Sequence, residues 1–274
     1  STWKGIGSNT GWGLNGNTAT LSNFIGTTSA TDLFFKRNSI NSGRIAEHNT
    51  AFGFNCLNPF NSGLYNVAFG VNALAANSSG INNTAYGDGA LRKNTTGGEN
   101  SAYGSDALRD NLLGSDNIAN GFFAMSDNTN ANKNIAIGRY ALRNQNFSNS
   151  GVAFDTNNIA IGIEALKNNN PTTSINGINN IALGNYALGI NTIGHKNVAV
   201  GNNALQQNTQ GVDNVGMGYF CLEQNTNGIS NTSVGNYSLE YGNASNNTAL
   251  GYYALNHIGG NNNSAMGYFS MGAG

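Results

Sequence analysis

The chain has 274 residues, a formal net charge of −1, and only 9% charged residues, against about 25% in typical soluble domains. That balance excludes general attraction to nucleic acid or to anionic membranes. No apolar stretch approaches the ~20 residues that span a bilayer, so no membrane insertion is expected. Thirty-eight Gly with only two Pro rule out a collagen-like or Pro-rich chain, and 39% apolar residues placed with strict regularity argue for order rather than disorder. There is no signal peptide at Ser1 and no initiator Met, which leads to the expectation of a segment of something longer.

Residues 1–48 follow no repeat and contain Trp3, Trp12, Phe24 and the run Asp32-Leu33-Phe34-Phe35-Lys36-Arg37-Asn38. A stack of strands leaves its first edge open, and an open edge invites aggregation. This segment is therefore expected to be a cap or adaptor, followed by a repeat region over 49–274.

From Asn49 onward one unit recurs thirteen times, marked by Gly53, Gly70, Gly87, Gly104, Gly121, Gly138, Gly162, Gly184, Gly201, Gly218, Gly235, Gly251 and Gly267. The spacing is 17 residues five times, then 24 and 22, then 17 three times and 16 twice. Four residues before each marker stands Asn: Asn49, Asn66, Asn83, Asn100, Asn117, Asn134, Asn158, Asn180, Asn197, Asn214, Asn231, Asn247 and Asn263. Strand formers such as Thr50, Val67, Ile135 and Val198 follow the Asn, and large apolar residues such as Phe52, Tyr86 and Leu183 precede the Gly. Ala and Leu come three and four residues after it, as in Ala90-Leu91.

Short alternations broken by Gly and Asn predict strands rather than helices. The expected fold is all-β, a parallel β-solenoid (β-roll) of about thirteen 17-residue coils, with two strands and two corners in each coil. At about 4.8 Å per coil it would rise roughly 60 Å. Stacked Asn side chains would bond along the axis as a ladder, and each unit is too small to bury its own apolar face without neighbours. The marker Gly suits either a positive-φ corner or a close backbone approach. The coil at Gly121 departs from the pattern, with Asn120 in a large-apolar position and Phe122-Phe123 after the Gly, and is expected to repack locally.

The string Asn23-Phe24-Ile25-Gly26-Thr27-Thr28, then Asp32-Leu33-Phe34-Phe35-Lys36 and Arg44-Ile45, resembles the segment that leads into Asn-Thr-Ala-x-Gly repeats in tail-fibre-like proteins of Bacteroidetes and their phages. The repeats, as in Asn83-Thr84-Ala85-Tyr86-Gly87, Ala90-Leu91 and Asn94-Thr95-Thr96-Gly97, resemble that family too. More distantly they are similar to the β-roll heads of trimeric autotransporter adhesins. The resemblance implies a parallel homotrimer with structural or adhesive duty, located outside the cell or on a virion surface. It also implies other fibre or virion proteins at the termini and a cell-surface glycan or receptor as partner. Two departures stand: no self-cutting trimerisation chaperone follows Met271-Gly272-Ala273-Gly274, and the adhesin heads use a shorter unit.

Catalytic chemistry is sparse, and neither catalysis nor a cofactor or metal is expected. Cys56 and Cys221 share the column three after the Gly, otherwise mostly Ala, and nine coils, roughly 43 Å, place them beyond disulfide reach. His48, His195 and His257 lie in distant coils without ligand spacing. Acidic residues are scattered, Asp106, Asp110 and Asp116 coming nearest to a cluster. Asp127-Asn128-Thr129-Asn130 lacks the Glu of a calcium loop. A glycan-degrading tailspike acting on bacterial polysaccharide is the alternative reading, through carboxylates that stacking brings together. An ice-binding solenoid would need a flat Thr ladder, which the mixed Thr, Val, Ile and Ser column lacks.

Three features mark candidate binding surfaces. Insertions fall at residues 144–157, with Phe147 and Phe154, and at 168–179, and extra residues in a solenoid become loops on one side. Arg92, Arg109, Arg143 and Lys167 share the column five after the Gly, where stacked cations repel unless solvated or offset by an anionic partner such as acidic polysaccharide. Aromatics crowd the two positions after the Gly near the C-terminus, at Tyr219-Phe220, Tyr237, Tyr252-Tyr253 and Tyr268-Phe269. If these lie in a strand, alternate rings face outward, suiting sugar stacking or subunit packing.

Overall fold

The computed structural model describes residues 31–147, 149–257 and 259–271; Trp3, Trp12, Phe24, the string from Asn23 to Thr28 and residues 272–274 lie outside it. It is an all-β parallel solenoid of thirteen coils without an α-helix among the described residues. The expected two strands per coil are corrected. Each coil carries one regular three-residue strand, centred two residues before the marker Gly, and the rest of the coil is turn.

The sheet opens with a hairpin, β1 (Leu33–Arg37) and β2 (Ile40–Ile45), whose second strand pairs antiparallel with β3 (Thr50–Phe52) of the first coil. From β3 onward every pairing in this fifteen-stranded sheet is parallel and in register, residue on equivalent residue, to the last strand at Ser264–Met266. Two short extra strands, Ala131–Asn132 and Phe154–Asp155, pair with each other beside it, where the first insertion leaves the frame.

Only the middle residue of each strand points inward. The strand Ala column, the Ala or Cys column and the Leu column after the Gly form a continuous buried cluster from Ala51 to Leu255. The large residues just before the Gly face outward instead, with Tyr86, Tyr103, Ile137, Ile161, Met217 and Leu250 all exposed. A narrow coil has room for Ala and Leu and nothing larger, which explains why those columns vary so little.

The turn after the Gly is built by alternating backbone handedness. The second and fourth residues after each marker have positive φ, for example Tyr140 at 60° and Leu142 at 50°, while the residues between them do not. A left-handed L-residue costs about 1–2 kcal/mol. Complete burial of the Leu side chain returns about 1.5–3 kcal/mol, and its N–H donates to the next coil, as Leu91 N does to Ala107 O at 3.0 Å. The marker Gly meets both of its expected demands at once. Gly184 has φ +140°, and a Cβ there would lie 2.4 Å from Gly201 O of the next coil.

Two Asn ladders, one through every coil and one interrupted, close the coils and tie each to its neighbours. In the anticipated ladder, Asn83 Oδ1 accepts from the backbone N and the Nδ2 of Asn100, both at 3.1 Å. Asn83 Nδ2 in turn donates to Gly97 O, fourteen residues on, at 2.9 Å. The second ladder, seven residues after the marker, runs through Asn77, Asn94, Asn111 and Asn128 and again through Asn191, Asn208 and Asn225. Its Nδ2 groups donate to the same Gly carbonyls, as Asn94 does to Gly97 O at 2.9 Å. Where the first insertion interrupts this column, Gln145 Nε2 donates to Thr156 Oγ1 at 2.9 Å, and Thr156 Oγ1 donates to Asn134 Oδ1 at 2.7 Å.

Asn100→Ala leaves the buried Asn117 N–H without its acceptor and removes several amide bonds. The expected loss in chemical denaturation is about 2–4 kcal/mol. Ser62→Ala, which removes one exposed side-chain bond to Ser78 O, should change stability by less than about 0.5 kcal/mol.

Candidate surface site around coils four to seven

The turn chemistry decides which side chains reach the surface. Because the second residue after the Gly is left-handed, the first and second residues both project outward, the third and fourth inward, and the fifth and sixth outward again. The expectation that only alternate rings of the C-terminal aromatics would face outward is corrected for this reason.

These aromatics form two columns. Phe220, Tyr237, Tyr253 and Phe269 stack at centroid spacings of 5.7, 4.9 and 4.8 Å, with planes within 10° of parallel. Tyr252 and Tyr268 stack at 5.6 Å beside them. A second ladder, Phe52, Phe69, Tyr86 and Tyr103, lies on the outer strand face at 5.0–5.4 Å. Inside such ladders each ring face is covered by its neighbour, so solvent meets ring edges. Sugar stacking needs an open face, whereas edges pack well against other aromatic or aliphatic side chains.

The cationic column is brought together as its spacing implied, and half of its charge, that of Arg109 and Lys167, is used internally. Arg109 grips Asp110 through two bonds, Nε–Oδ1 at 3.0 Å and Nη2–Oδ2 at 2.7 Å, and reaches Asp127 at 3.1 Å. Lys93 bonds Asp110 at 2.9 Å, and Lys167 bonds Glu164 at 3.0 Å. Burial alone would raise the Asp110 carboxyl, but hydrogen bonds from Arg109 and Lys93 hold it below the usual carboxylate value. Arg92 is half-buried in the same column, two coils before the irregular one.

Arg143 sits 5.4 Å from the Phe123 ring centre and 5.1 Å from that of Tyr140. Arg139 lies 5.3 Å and Lys167 5.7 Å from the same Tyr140 ring. Phe122 and Phe123, the irregular pair after Gly121, complete this cluster with Tyr140. The cationic column, the irregular coil and the start of the first insertion therefore meet at one place. Phe147 and Phe154 pack edge-to-face at 5.5 Å, and Phe154 is buried. The exposed apolar tips of the two insertions are instead Val152 and Ile175.

The remaining singled-out residues take structural places. Cys56 and Cys221 are free and buried, and burial pushes the Cys221 thiol up to about 12. His48 packs on Tyr65 and His257 on Tyr241. Asp127 serves Arg109, and Asn128 belongs to the second ladder. Among the described residues no group of three or more His, Cys, Asp or Glu could hold a metal ion. Among the described residues no helix is long and apolar enough to cross a membrane either.

One pair escaped the sequence reading. Glu223 and Glu240, in coils ten and eleven, occupy the column that holds cations in coils three, four, six and seven. Glu240 is almost fully buried and accepts from Asn256 Nδ2 at 2.9 Å. Burial first, and then the Glu240 charge, raises the Glu223 carboxyl above its usual value. The signal was present, since both stand five residues after a marker Gly. Comparison with protein-family models, curated proteins and solved structures returns no match.

A carboxyl raised in the folded state favours folding when protonated, so its stabilising contribution is complete below the unfolded value and lost as pH rises through the folded one. Glu223→Gln removes that dependence. Its thermal midpoint should exceed that of the wild type at pH 7, the gap narrowing as pH falls toward 4.5, the ordinary Glu value. A variant less stable at pH 7, or a gap constant with pH, contradicts the assignment.

Proposed function

We propose that this chain is a structural and adhesive fibre module without catalytic activity. In this reading it assembles as a parallel homotrimer and mediates attachment to a cell surface from the extracellular space or a virion. The observation that supports this most is the outer strand face. Its two columns, the first and third residues of every coil strand, contain no charged residue in any of the thirteen coils. They carry exposed Ile118, Ile137, Ile161, Met217 and Leu250.

Thirteen rungs at about 4.8 Å give a face about 60 Å long and about 12 Å wide, on the order of 700 Å² per copy. That is near the ~800 Å² per partner of a stable interface. A partner for such a strip must be as long, as straight and spaced with the same rung period, which describes another copy of the chain. The edge-on aromatic ladder from Phe52 to Tyr103 belongs to the same face and suits packing against its equivalent. Weak surface contacts, repeated threefold, then gain strength by multivalency.

Light scattering tests the assembly: a native mass three times 28.5 kDa is expected. Ile161→Glu, on the outer face, should give a folded monomer with unchanged circular dichroism. A wild-type monomer refutes the homotrimer. The alternative, a glycan-degrading tailspike, draws support from the Glu223 and Glu240 carboxylates stacked in adjacent coils, one of them with a raised value. Release of reducing ends from bacterial polysaccharide, abolished by Glu223→Gln, would establish that reading in place of the first.

A further inference from the structure

Of the four cations in the column five after the marker Gly, Arg109 and Lys167 are matched to carboxylates of this chain, whereas Arg143 is not. Arg139, projecting from the first position after Gly138, has no carboxylate within ion-pair distance among the described residues either. The backbone turn between them sends Ala141 and Leu142 into the core and brings both guanidinium groups to the Tyr140 ring, at 5.3 and 5.1 Å from its centre. Lys167 approaches the same ring, so three positive charges surround one phenol, while the two carboxylates nearby are engaged elsewhere: Glu164 bonds Lys167, and Asp127, whose backbone N–H donates to Arg143 O, bonds Arg109. Arg143 Nε is buried and has no hydrogen-bond acceptor among the described residues. Like charges gathered this closely repel, and an oxyanion placed between them would remove the repulsion while accepting from their N–H groups.

We infer that Arg139 and Arg143, held in place by Tyr140 with Phe122 and Phe123 beside it, form a binding site for the carboxylate groups of an acidic polysaccharide. This rests on the reading of the chain as a surface-attachment module and names the ligand class of that surface. The aromatic rings hold the guanidinium groups through their faces, and a planar, forked donor held in one orientation suits bidentate recognition of a carboxylate. A polymer is favoured over a free anion because Arg92, in the same column three coils toward the N-terminus, pairs with no carboxylate among the described residues either. A linear polyanion lying along the solenoid can meet several rungs at once, which a single ion cannot.

The test uses the full chain and sodium polygalacturonate, with neutral dextran and inorganic phosphate as comparison ligands, followed by calorimetry at low and moderate salt. Polygalacturonate is expected to bind and dextran not to bind, with affinity falling as salt rises. The double variant Arg139→Gln with Arg143→Gln should weaken polygalacturonate binding at least tenfold. Lys36→Gln with Arg37→Gln, which removes equal charge from the hairpin, should bind like the wild type. Absence of polygalacturonate binding, or equal weakening in both double variants, overturns the site. Inorganic phosphate binding as tightly as the polymer overturns the assignment to a polysaccharide. The native mass measured on the same samples separates the two ideas: a trimer that ignores polygalacturonate removes this inference alone, and a monomer that binds it removes the homotrimer alone.

Discussion

The buried Asn-to-Asn hydrogen bond between coils is the constraint on which the rest of this structure depends. A coil of about seventeen residues encloses little more than two Ala, one Leu and the ladder Asn, too little apolar surface to fold alone. Its Asn side chain satisfies three needs at once. It accepts from the next coil's backbone and amide, donates back to the preceding coil, and closes its own coil through a Gly carbonyl fourteen residues on. Gln has the groups but is longer, Asp lacks the donor, and Ser lacks both reach and valence. The invariance of the column across thirteen coils follows from that geometry.

Everything outside the ladder is then free to vary by zone. The interior is nearly uniform, so the coils differ in what they show to solvent. Aromatic residues occupy the outer strand face in the early coils, cations paired with Asp110, Asp127 and Glu164 sit on the turn side of the middle ones, and stacked rings beside Glu223 and Glu240 mark the late ones. A scaffold with a repetitive core and a zoned surface suits recognition spread along a shaft rather than gathered in a pocket.

Much of this was legible in the sequence because identical residues stack on identical residues. The solenoid, the coil count, the Asn ladder and the filler role of Cys56 and Cys221 all follow from columns. What was not legible depends on backbone handedness. Nothing in the letters marks Tyr140 or Leu142 as left-handed residues, and without that the residues after the Gly read as a second strand with alternating faces. Handedness also decides which apolar column fills the core: the Leu after the Gly lies inside and the large residue before it outside. The second Asn ladder was hidden by its position in a turn, where Asn is common for local reasons. Glu223 and Glu240 were read as scattered because they are seventeen residues apart, although that spacing is the coil itself.

Native-state hydrogen exchange on the backbone amides of the Asn column tests the central claim most directly, because each donates to a side-chain oxygen in the preceding coil rather than to another backbone group. If the ladder holds the stack together, the amides from Asn83 to Asn231 exchange slowly and as one cooperative class, far slower than the exposed loop amides of Thr173 and Ser174. Exchange of the Asn amides at loop-like rates, with protection confined to the three-residue strands, would contradict the ladder as the element that binds coil to coil.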